Sequence, residues 1–169
     1  FILGSAIPLQ LITVPLYLMF NDLGLLDSLV GLTMVYVAVS LPFTVFVLTG
    51  FFKSIPTALE EAAVLDGASE YGVFWHVMLP LAAPGVTTVT IFNFLGVWNE
   101  YLLALMLINE TDKMTIPLGL YNLQVVQEYA ADFTGLFAGF VIMLLPTIAA
   151  FIVLQERISR GMTVGALKG

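Results

Sequence analysis

The sequence contains no cysteine and very few charged side chains. Charged residues make up only 10% of its 169 positions, whereas soluble domains carry about 25%. The absence of cysteine excludes disulfides, thiolate metal sites and thiol chemistry from this stretch of chain. Five basic residues stand against twelve acidic ones, and the resulting net charge of −7 argues against nucleic acid as a partner.

Long apolar runs occupy most of the chain. Hydrophobic residues account for 60% of the sequence, and its mean hydropathy is +1.02. Four runs approach the roughly 20 apolar residues that a helix needs to cross a bilayer. These predicted spans are residues 1–21, 28–52, 84–108 and 133–155. Because each run would be apolar on all sides of a helix, with no polar face, we predict a single, all-α, polytopic transmembrane bundle.

The beginning of the sequence does not resemble a secretory leader. Residue 1 is Phe, and no basic region precedes the first apolar run. A signal peptide needs such a region, so we expect this sequence to be a piece of a longer protein.

The basic residues predict an orientation for the four spans. Lys53, Arg157, Arg160 and Lys168 fall on one side of the membrane, and Lys113 falls on the other. Positive residues are enriched in cytoplasmic loops. The count therefore predicts that residues 53–80 and 156–169 are cytoplasmic and that residues 110–132 are external.

Residues 53–80 form an amphipathic interruption between two spans. Thr57 and Glu60 have the spacing of a capping box at a helix start. Gly67 can end that helix in the left-handed conformation, and Ser69 can cap a second one. Residues 79–80, Leu-Pro, are expected to end the second helix. We therefore predict two brief helices beneath the bundle.

Two interpretations of this interruption follow from its pattern. It could be an interfacial loop whose apolar side chains enter lipid, or a knob that seats in the groove of a cytoplasmic partner. Four acids, Glu60, Glu61, Asp66 and Glu70, disfavour the lipid interpretation. Inner-leaflet surfaces are anionic and repel them.

The interruption also resembles a family signature. The signature consists of EAA, three residues, Gly, nine residues, an aliphatic residue, any residue and Leu-Pro. The matching positions are Glu61, Ala62, Ala63, Gly67, Val77, Leu79 and Pro80. This pattern resembles the permease subunits of ABC importers. The segments PLYLMFNDLGLLDS, FFKSIPTALEEAAVLDGAS, VWNEYLLALMLIN and GMTVGALKG resemble the carbohydrate-importer branch of that family. The resemblance covers essentially the whole chain.

The resemblance implies a type I importer permease in the cell inner membrane. Such permeases carry about two further spans before the first one present here. Two permease subunits would form the pathway, two cytoplasmic ATP-binding subunits would dock beneath it, and an external solute-binding protein would deliver the substrate. The coupling residues implied are Glu61 and Asp66 for polar contacts or capping, Ala62 and Ala63 for close approach, Gly67 for the turn, and Leu79 and Pro80 at the end of the motif.

No catalytic or metal-binding pattern is visible in the sequence. A G-x-x-x-x-G-K-[ST] phosphate loop is absent, so ATP hydrolysis is expected in a separate subunit and no cofactor is expected here. His76 is the only histidine and is interpreted as a partly exposed loop residue with no special role. Gly135 and Gly139 form a G-x-x-x-G pair, for which packing within the chain is favoured over contact with a second permease.

Glu100 is an ionisable residue within a predicted span. Such a residue indicates either a polar pathway or a structural carboxylate bonded to nearby backbone or to Asn99. With its neighbours Trp98, Asn99 and Tyr101, it forms a candidate translocation pathway. Aromatic faces beside a carboxylate suit a sugar.

Three functions remain open from the residues alone. The resemblance favours a sugar importer, while the EAA pattern would also allow an amino acid, a peptide or an ion as cargo. A secondary transporter or channel is a third alternative, suggested only by the prolines and the intramembrane acid.

Overall fold

The structure, a computed structural model, describes residues 8–130 and 133–166, with side chains described for residues 8–125 and 133–152. These residues form helices and turns, and no strand occurs among them. The helices are α1 Leu9–Asp22, α2 Leu29–Ser54, α3 Thr57–Leu65, α4 Glu70–Leu81, α5 Ala83–Trp98, α6 Leu102–Leu107, α7 Ile116–Ala130 and α8 Phe133–Ala166, with a 3₁₀ turn at Thr111–Lys113. The predicted all-α class is confirmed.

Two continuous helices have the length and apolarity of a membrane span. They are Leu29–Ser54, which covers the predicted span 28–52, and Phe133–Ile152 within the predicted span 133–155. The first predicted span begins outside the described residues, and its described part is α1, a helix of 14 residues.

The predicted span 84–108 is not one regular helix. Helix α5 ends at Trp98 and α6 begins at Leu102, so residues 99–101 interrupt the helical conformation of the span. Hydropathy cannot detect this interruption, because apolar residues flank it on both sides. At its beginning, α5 follows α4 through a bend of 68° at Ala82. Helix α4 therefore runs at a steep angle to α5 and does not extend it.

Residues 110–132 contain more regular structure than the predicted external loop. The 3₁₀ turn Thr111–Lys113 is followed by α7, which runs from Ile116 to Ala130. Its apolar residues pack toward the bundle, as the burial of Leu118 and Leu120 shows. A helix that buries one apolar face is stabilised mainly by that packing.

The core of the described chain surrounds the short helix α6. Its fully buried large side chains are Leu103, Leu107 and Leu118. They pack with Phe20 of α1 and with Leu32 and Val35 of α2. Burying a Leu side chain contributes about 1.5–3 kcal/mol, so this cluster stabilises an α6 that is too short to be stable alone.

Two glycines permit close approach between helices. A Cβ on Gly85 would lie 2.5 Å from Cγ of Phe51, so α5 could not approach α2 this closely with a larger residue. A Cβ on Gly139 would collide with the Leu120 side chain of α7. Packing within the chain, the interpretation favoured for the G-x-x-x-G pair, is confirmed for Gly139.

Helix α2 runs from one end of the bundle to the other. Its 26 residues extend about 39 Å at a rise of about 1.5 Å per residue. At its last turns, the Phe52 ring lies 6.1 Å from the Phe74 ring of α4. Before its first turn, Asp27 contacts Asn109 and Glu110. The α3–α4 segment and the 108–113 loop therefore lie at opposite ends of α2.

Asp27 joins the α1–α2 turn to the 108–113 loop, in an arrangement that we term the Asp27 clasp. Its Oδ1 accepts hydrogen bonds from the backbone N–H groups of Asn109 at 2.9 Å and Glu110 at 3.0 Å. Its own N–H donates to the Leu107 carbonyl at 2.7 Å. Lys113 Nζ donates to the Asp27 carbonyl oxygen at 3.0 Å and pairs with Glu110 Oε2 at 2.7 Å. These bonds hold Asp27 in the left-handed region, at φ 55°.

The clasp changes the acidity of its members. The backbone hydrogen bonds from Glu110 and then Asn109 lower the pKa of Asp27, because they favour its ionised form. The hydrogen bond to Glu110 is the largest of the effects that raise the pKa of Lys113. Both groups are therefore held in their charged forms.

Candidate functional site

The first candidate site is residues 55–81, which we term the coupling segment after the role that the resemblance implies. Helix α3 begins at Thr57, and Pro56 occupies the N-cap position. Proline offers no side-chain acceptor, and the first turn is closed by the Leu59 N–H donating to the Pro56 carbonyl at 3.1 Å. Thr57 is thus already inside the helix. The predicted capping box of Thr57 and Glu60 is therefore wrong.

The turn between α3 and α4 is a Schellman motif centred on Gly67. Gly67 has φ 84°, a conformation that L side chains rarely adopt. Its N–H donates to the Val64 carbonyl, and the Ala68 N–H donates to the Ala63 carbonyl, both at 3.0 Å. Ser69 Oγ then accepts from the Gly72 N–H at 3.2 Å and caps α4. The predicted roles of Gly67 as the turn and Ser69 as the cap are confirmed.

Helix α4 changes its winding before Leu79 and Pro80. Residues Phe74–Met78 form a π-helical turn, and the helix continues to Leu81. The prediction that Leu79-Pro80 ends the helix is therefore wrong by one or two residues. A proline ring collides with the preceding turn of a regular α-helix. The π turn is wider and lies directly before Pro80, which allows the helix to continue.

The coupling segment exposes large apolar side chains. Leu65 is 87% exposed, Tyr71 80% and Trp75 59%. Of the residues implied by the signature, Glu61, Ala62, Asp66, Gly67 and Pro80 are exposed, and Ala63 and Leu79 are half-buried. Large apolar side chains exposed to this extent, on a short segment that also carries exposed acids, are a feature of protein or membrane interaction surfaces.

His76 takes part in local structure of the coupling segment. Its Nδ1 lies 3.1 Å from the Gly72 carbonyl oxygen, and its ring is exposed. No group of three or more His, Cys, Asp or Glu side chains that could hold a metal ion occurs among the residues whose side chains the structure describes.

The second candidate site is the interruption at residues 99–101, where Glu100 replaces missing backbone hydrogen bonds. Its Oε1 accepts from the Leu103 N–H at 2.7 Å, and its Oε2 accepts from the Ala104 N–H at 3.3 Å. Oε2 also accepts the Tyr36 hydroxyl of α2 at 2.9 Å. A carboxylate that caps a helix start is favoured by the partial positive charge there. Glu100 therefore stabilises both the interruption and its contact with α2.

Glu100 also borders a mainly apolar cavity that includes four polar side chains, which we term the Glu100 cavity. It has a volume of about 340 Å³ and lies between α2 and α5. Its polar side chains are Tyr36, Ser40, Asn93 and Glu100. Asn93 is oriented by its Nδ2, which donates to Thr44 Oγ1 at 2.9 Å. The structural and the pathway interpretations of Glu100 are thus compatible in this geometry.

The neighbouring residues of the interruption face elsewhere. Asn99 and Tyr101 line a second cavity of about 200 Å³, which we term the Tyr101 cavity, together with Tyr121 and Gln124 of α7. Trp98 is among the lining residues of neither cavity. Its Nε1 donates to the Met143 carbonyl oxygen at 3.1 Å, which joins α5 to α8. The four candidate pathway residues are therefore distributed over two cavities and one helix contact.

Sequence reasoning missed several residues of these cavities. Tyr36, Ser40 and Thr44 recur every four positions, which places three hydroxyls on one face of α2. That spacing was a signal that could have identified the polar face. Tyr121 and Gln124 carried no such signal, because α7 was predicted to be a loop.

Comparison with known proteins gives consistent matches over the chain. The family model described as "Binding-protein-dependent transport system inner membrane component" matches residues 1–164. A putative ABC transporter permease protein of Caldicellulosiruptor is 40% identical over 168 residues, covering 99% of this chain and 60% of that protein. The diacetylchitobiose uptake system permease protein NgcG of Streptomyces coelicolor is 40% identical over 165 residues, covering 98% of this chain and 55% of that protein.

A solved structure is similar in fold. It is a bacterial ABC transporter involved in the import of the acidic polysaccharide alginate, which matches with a TM-score of 0.66 and 28% identity. The match covers 85% of this chain and 55% of that one. The sequence thus spans between a half and two thirds of the length of these relatives.

Proposed function

This chain belongs to the family of inner membrane components of binding-protein-dependent transport systems, and we propose that it forms the greater part of a permease subunit that imports saccharides. ATP hydrolysis takes place in separate cytoplasmic subunits in this proposal. A second permease subunit completes the pathway, and an external solute-binding protein delivers the sugar. The relatives named for diacetylchitobiose uptake and alginate import support a saccharide as the cargo.

The observation that carries the proposal is the exposed coupling segment at one end of α2. Its two short helices are joined by the Schellman turn at Gly67 and capped by Ser69, so their relative direction is fixed by backbone bonds. A rigid pair of helices with exposed apolar anchors suits a groove on a partner protein. The acidic residues Glu61 and Asp66, both exposed, favour a protein groove over an anionic lipid surface.

The same segment would transmit force to the pathway. Helix α4 leads into α5 through a single bend at Ala82, and α5 packs on both α2 and α8. A displacement of the coupling segment by a moving ATPase would therefore reach α5 and the interruption at its far end. In this proposal Glu61, Ala62, Ala63, Asp66, Gly67, Leu79 and Pro80 serve the coupling, on the cytoplasmic side of the membrane.

The interruption at residues 99–101 is the proposed pathway element. Backbone outside regular helix is tolerated at membrane depth only where protein covers it or where it lines a water-filled cavity. Glu100 and Asn99 lie beside cavities of about 340 and 200 Å³ respectively. Trp98, directly before this element, is held by the hydrogen bond that its Nε1 donates to the Met143 carbonyl oxygen of α8.

The proposal is tested by purifying the full-length permease, through a tag, with its ATP-binding subunits. We expect Trp75→Ser and Leu65→Ser to reduce the recovery of the ATPase about tenfold or more, because buried aromatic or large apolar anchors dominate interfaces. Leu23→Ser is the matched control, since Leu23 is 62% exposed at the opposite end of α2. Uptake of radiolabelled diacetylchitobiose into proteoliposomes is measured with the same preparations.

Two results would contradict different parts of the proposal. Undiminished ATPase recovery and uptake in both variants would show that residues 55–81 are not the coupling element. ATP-dependent uptake of an amino acid but of no saccharide would reject the cargo and leave the coupling intact.

A further inference from the structure

The Tyr101 cavity differs in chemistry from the rest of the apolar bundle. It combines two phenol rings, Tyr101 and Tyr121, with the side-chain amides of Asn99 and Gln124. The remaining lining residues are Pro117, Leu120, Phe140 and Met143, so the lining carries no charge. The cavity lies directly beside the interruption of the proposed pathway.

The two tyrosine rings form an apolar wall with polar edges. Their centroids lie 5.9 Å apart with an angle of 35° between the ring planes. Tyr101 is 45% exposed and Tyr121 43% exposed. Within residues 8–125 and 133–152, no hydrogen bond is formed by either hydroxyl or by the Gln124 amide. These groups are available to a ligand that has both apolar faces and hydroxyls.

The Asn99 side chain is held in a defined orientation at this cavity. Its Nδ2 donates to the Leu95 carbonyl oxygen at 2.8 Å, which leaves Oδ1 as an acceptor. The amide therefore presents an oxygen, whereas Gln124 can offer both a donor and an acceptor. A saccharide hydroxyl can donate to the first and bond to the second in either sense.

We infer that the Tyr101 cavity is a subsite for one uncharged saccharide ring, an inference that rests on the proposed importer function. Its volume of about 200 Å³ lies below the range of roughly 300–1,000 Å³ that encloses a drug-sized ligand. This volume suits a single ring of a longer sugar. No basic side chain lines the cavity, so a uronic acid ring would lose its hydration without gaining an ionic partner.

The subsite holds the sugar after its release from the solute-binding protein. The rings of Tyr101 and Tyr121 contact the C–H face of the sugar, and the two amides bond to its hydroxyls. Loss of the subsite would allow the sugar to return outward before the pathway closes behind it. The expected defect is therefore a lower number of sugar molecules imported per ATP hydrolysed.

The first test measures this ratio in proteoliposomes that contain the full-length permease, its ATPase subunits and the solute-binding protein. Diacetylchitobiose is the uncharged probe and an alginate oligosaccharide is the acidic one. Tyr121→Leu should lower diacetylchitobiose import per ATP about tenfold, which is the loss expected from one aromatic contact at the upper end of its usual strength. Tyr121→Phe keeps the ring and should restore most of the ratio. Tyr17→Leu, at an exposed tyrosine of α1, is the matched control.

The second test detects occupancy without transport. Gln124→Cys introduces a thiol into these 169 residues, which contain no cysteine, and the complex without the substitution measures the labelling of any other thiol. A methanethiosulfonate reagent should modify this thiol in the assembled complex, and saturating diacetylchitobiose should slow the modification at least fivefold. The alginate oligosaccharide should not protect it.

The outcomes separate this inference from the proposed function. Uptake by the wild-type complex with an unchanged import ratio in Tyr121→Leu would overturn the subsite and leave the importer function in place. A Gln124→Cys thiol that is never modified, or that is modified equally fast with sugar, would also overturn it. Absence of any saccharide uptake by the wild-type complex would reject the proposed function itself.

Discussion

The Schellman turn at Gly67 offers the sharpest test of the coupling mechanism, through the substitution Gly67→Val. Gly67 has φ 84°, and a Cβ added there would meet no atom within 4 Å. The cost of a side chain at this position is therefore backbone strain alone. A left-handed conformation costs an L-residue about 1–2 kcal/mol, and a β-branched residue lies at the upper end of that range or above it.

This cost is large compared with the stability of one turn. At 1.4 kcal/mol per factor of ten, the native turn would lose about five- to thirtyfold in population relative to other conformations. Helix α4 would then leave α3 in another direction, and Trp75 of α4 would be displaced relative to Leu65 of α3. The membrane spans would stay folded, because their backbone bonds are formed within each helix. Gly67→Asn should be milder, because Asn tolerates the left-handed region.

The assay compares three quantities in the full-length complex. They are the amount of permease in the membrane, the ATPase recovered with it, and hydrolysis stimulated by the sugar-loaded binding protein. We expect the first to be normal and the other two to fall about tenfold in Gly67→Val. Gly24→Val is a matched control, since Gly24 has φ 65°, no atom within 4 Å of an added Cβ, and a position at the other end of α2. Normal recovery and stimulation in Gly67→Val, or an equal loss in Gly24→Val, would refute the reasoning.

Three further predictions concern Glu100, Asp27 and the orientation of the chain in the membrane. Glu100→Leu should prevent assembly, because the Leu103 N–H, the Ala104 N–H and the Tyr36 hydroxyl lose their acceptor. Glu100→Gln should assemble and alter transport. Normal uptake by both variants, measured after the purified subunit is quantified, would show that Glu100 has neither the structural nor the pathway role. Asp27→Ala should speed amide hydrogen exchange at Asn109 and Glu110, and Asp27→Asn should do so less because it keeps an acceptor. Because the folded pKa of Asp27 is lowered, the stabilisation by its charge should be present above the unfolded pKa of about 4 and be lost as the pH falls through the folded value. If the protection of these two amides, taken as the measured rate relative to the intrinsic rate at each pH, stayed constant across that window, this prediction would be contradicted. A cysteine at Ser69 should resist an impermeant reagent added outside intact spheroplasts, whereas rapid labelling would reverse the predicted orientation.

Local chemistry explains why much of the coupling segment could be predicted from the sequence. The end of α3 depends on the left-handed preference of Gly67, and the start of α4 depends on a hydroxyl placed three residues before Gly72. Both are interactions between residues a few positions apart, so the local sequence is sufficient to predict them. Two local predictions were wrong. The capping box was wrong because Pro56 moved the helix start by one residue, and the predicted end of α4 was wrong because the π turn before Pro80 allows the helix to continue to Leu81.

The interruption in the third span could not be predicted in the same way. Residues 84–108 are apolar enough for one helix, and hydropathy averages over the three residues that leave the helical path. The interruption is stabilised by the Glu100 carboxylate, which needs Tyr36 from a helix 64 positions earlier. Only the packing of α2 against α5 and α6 brings that hydroxyl to the carboxylate.

The sequence by itself determined the apolar composition, the helical class and the local geometry around Gly67, because each follows from residues close together in the chain. Tertiary structure alone decided that Glu100 caps a helix, that Asp27 closes a clasp with residues 82 and 83 positions away, and that Tyr101 faces Tyr121. A side chain's partner across a bundle depends on the crossing and rotation of whole helices. Those variables are set by the sum of many packing contacts, and no short stretch of sequence contains them.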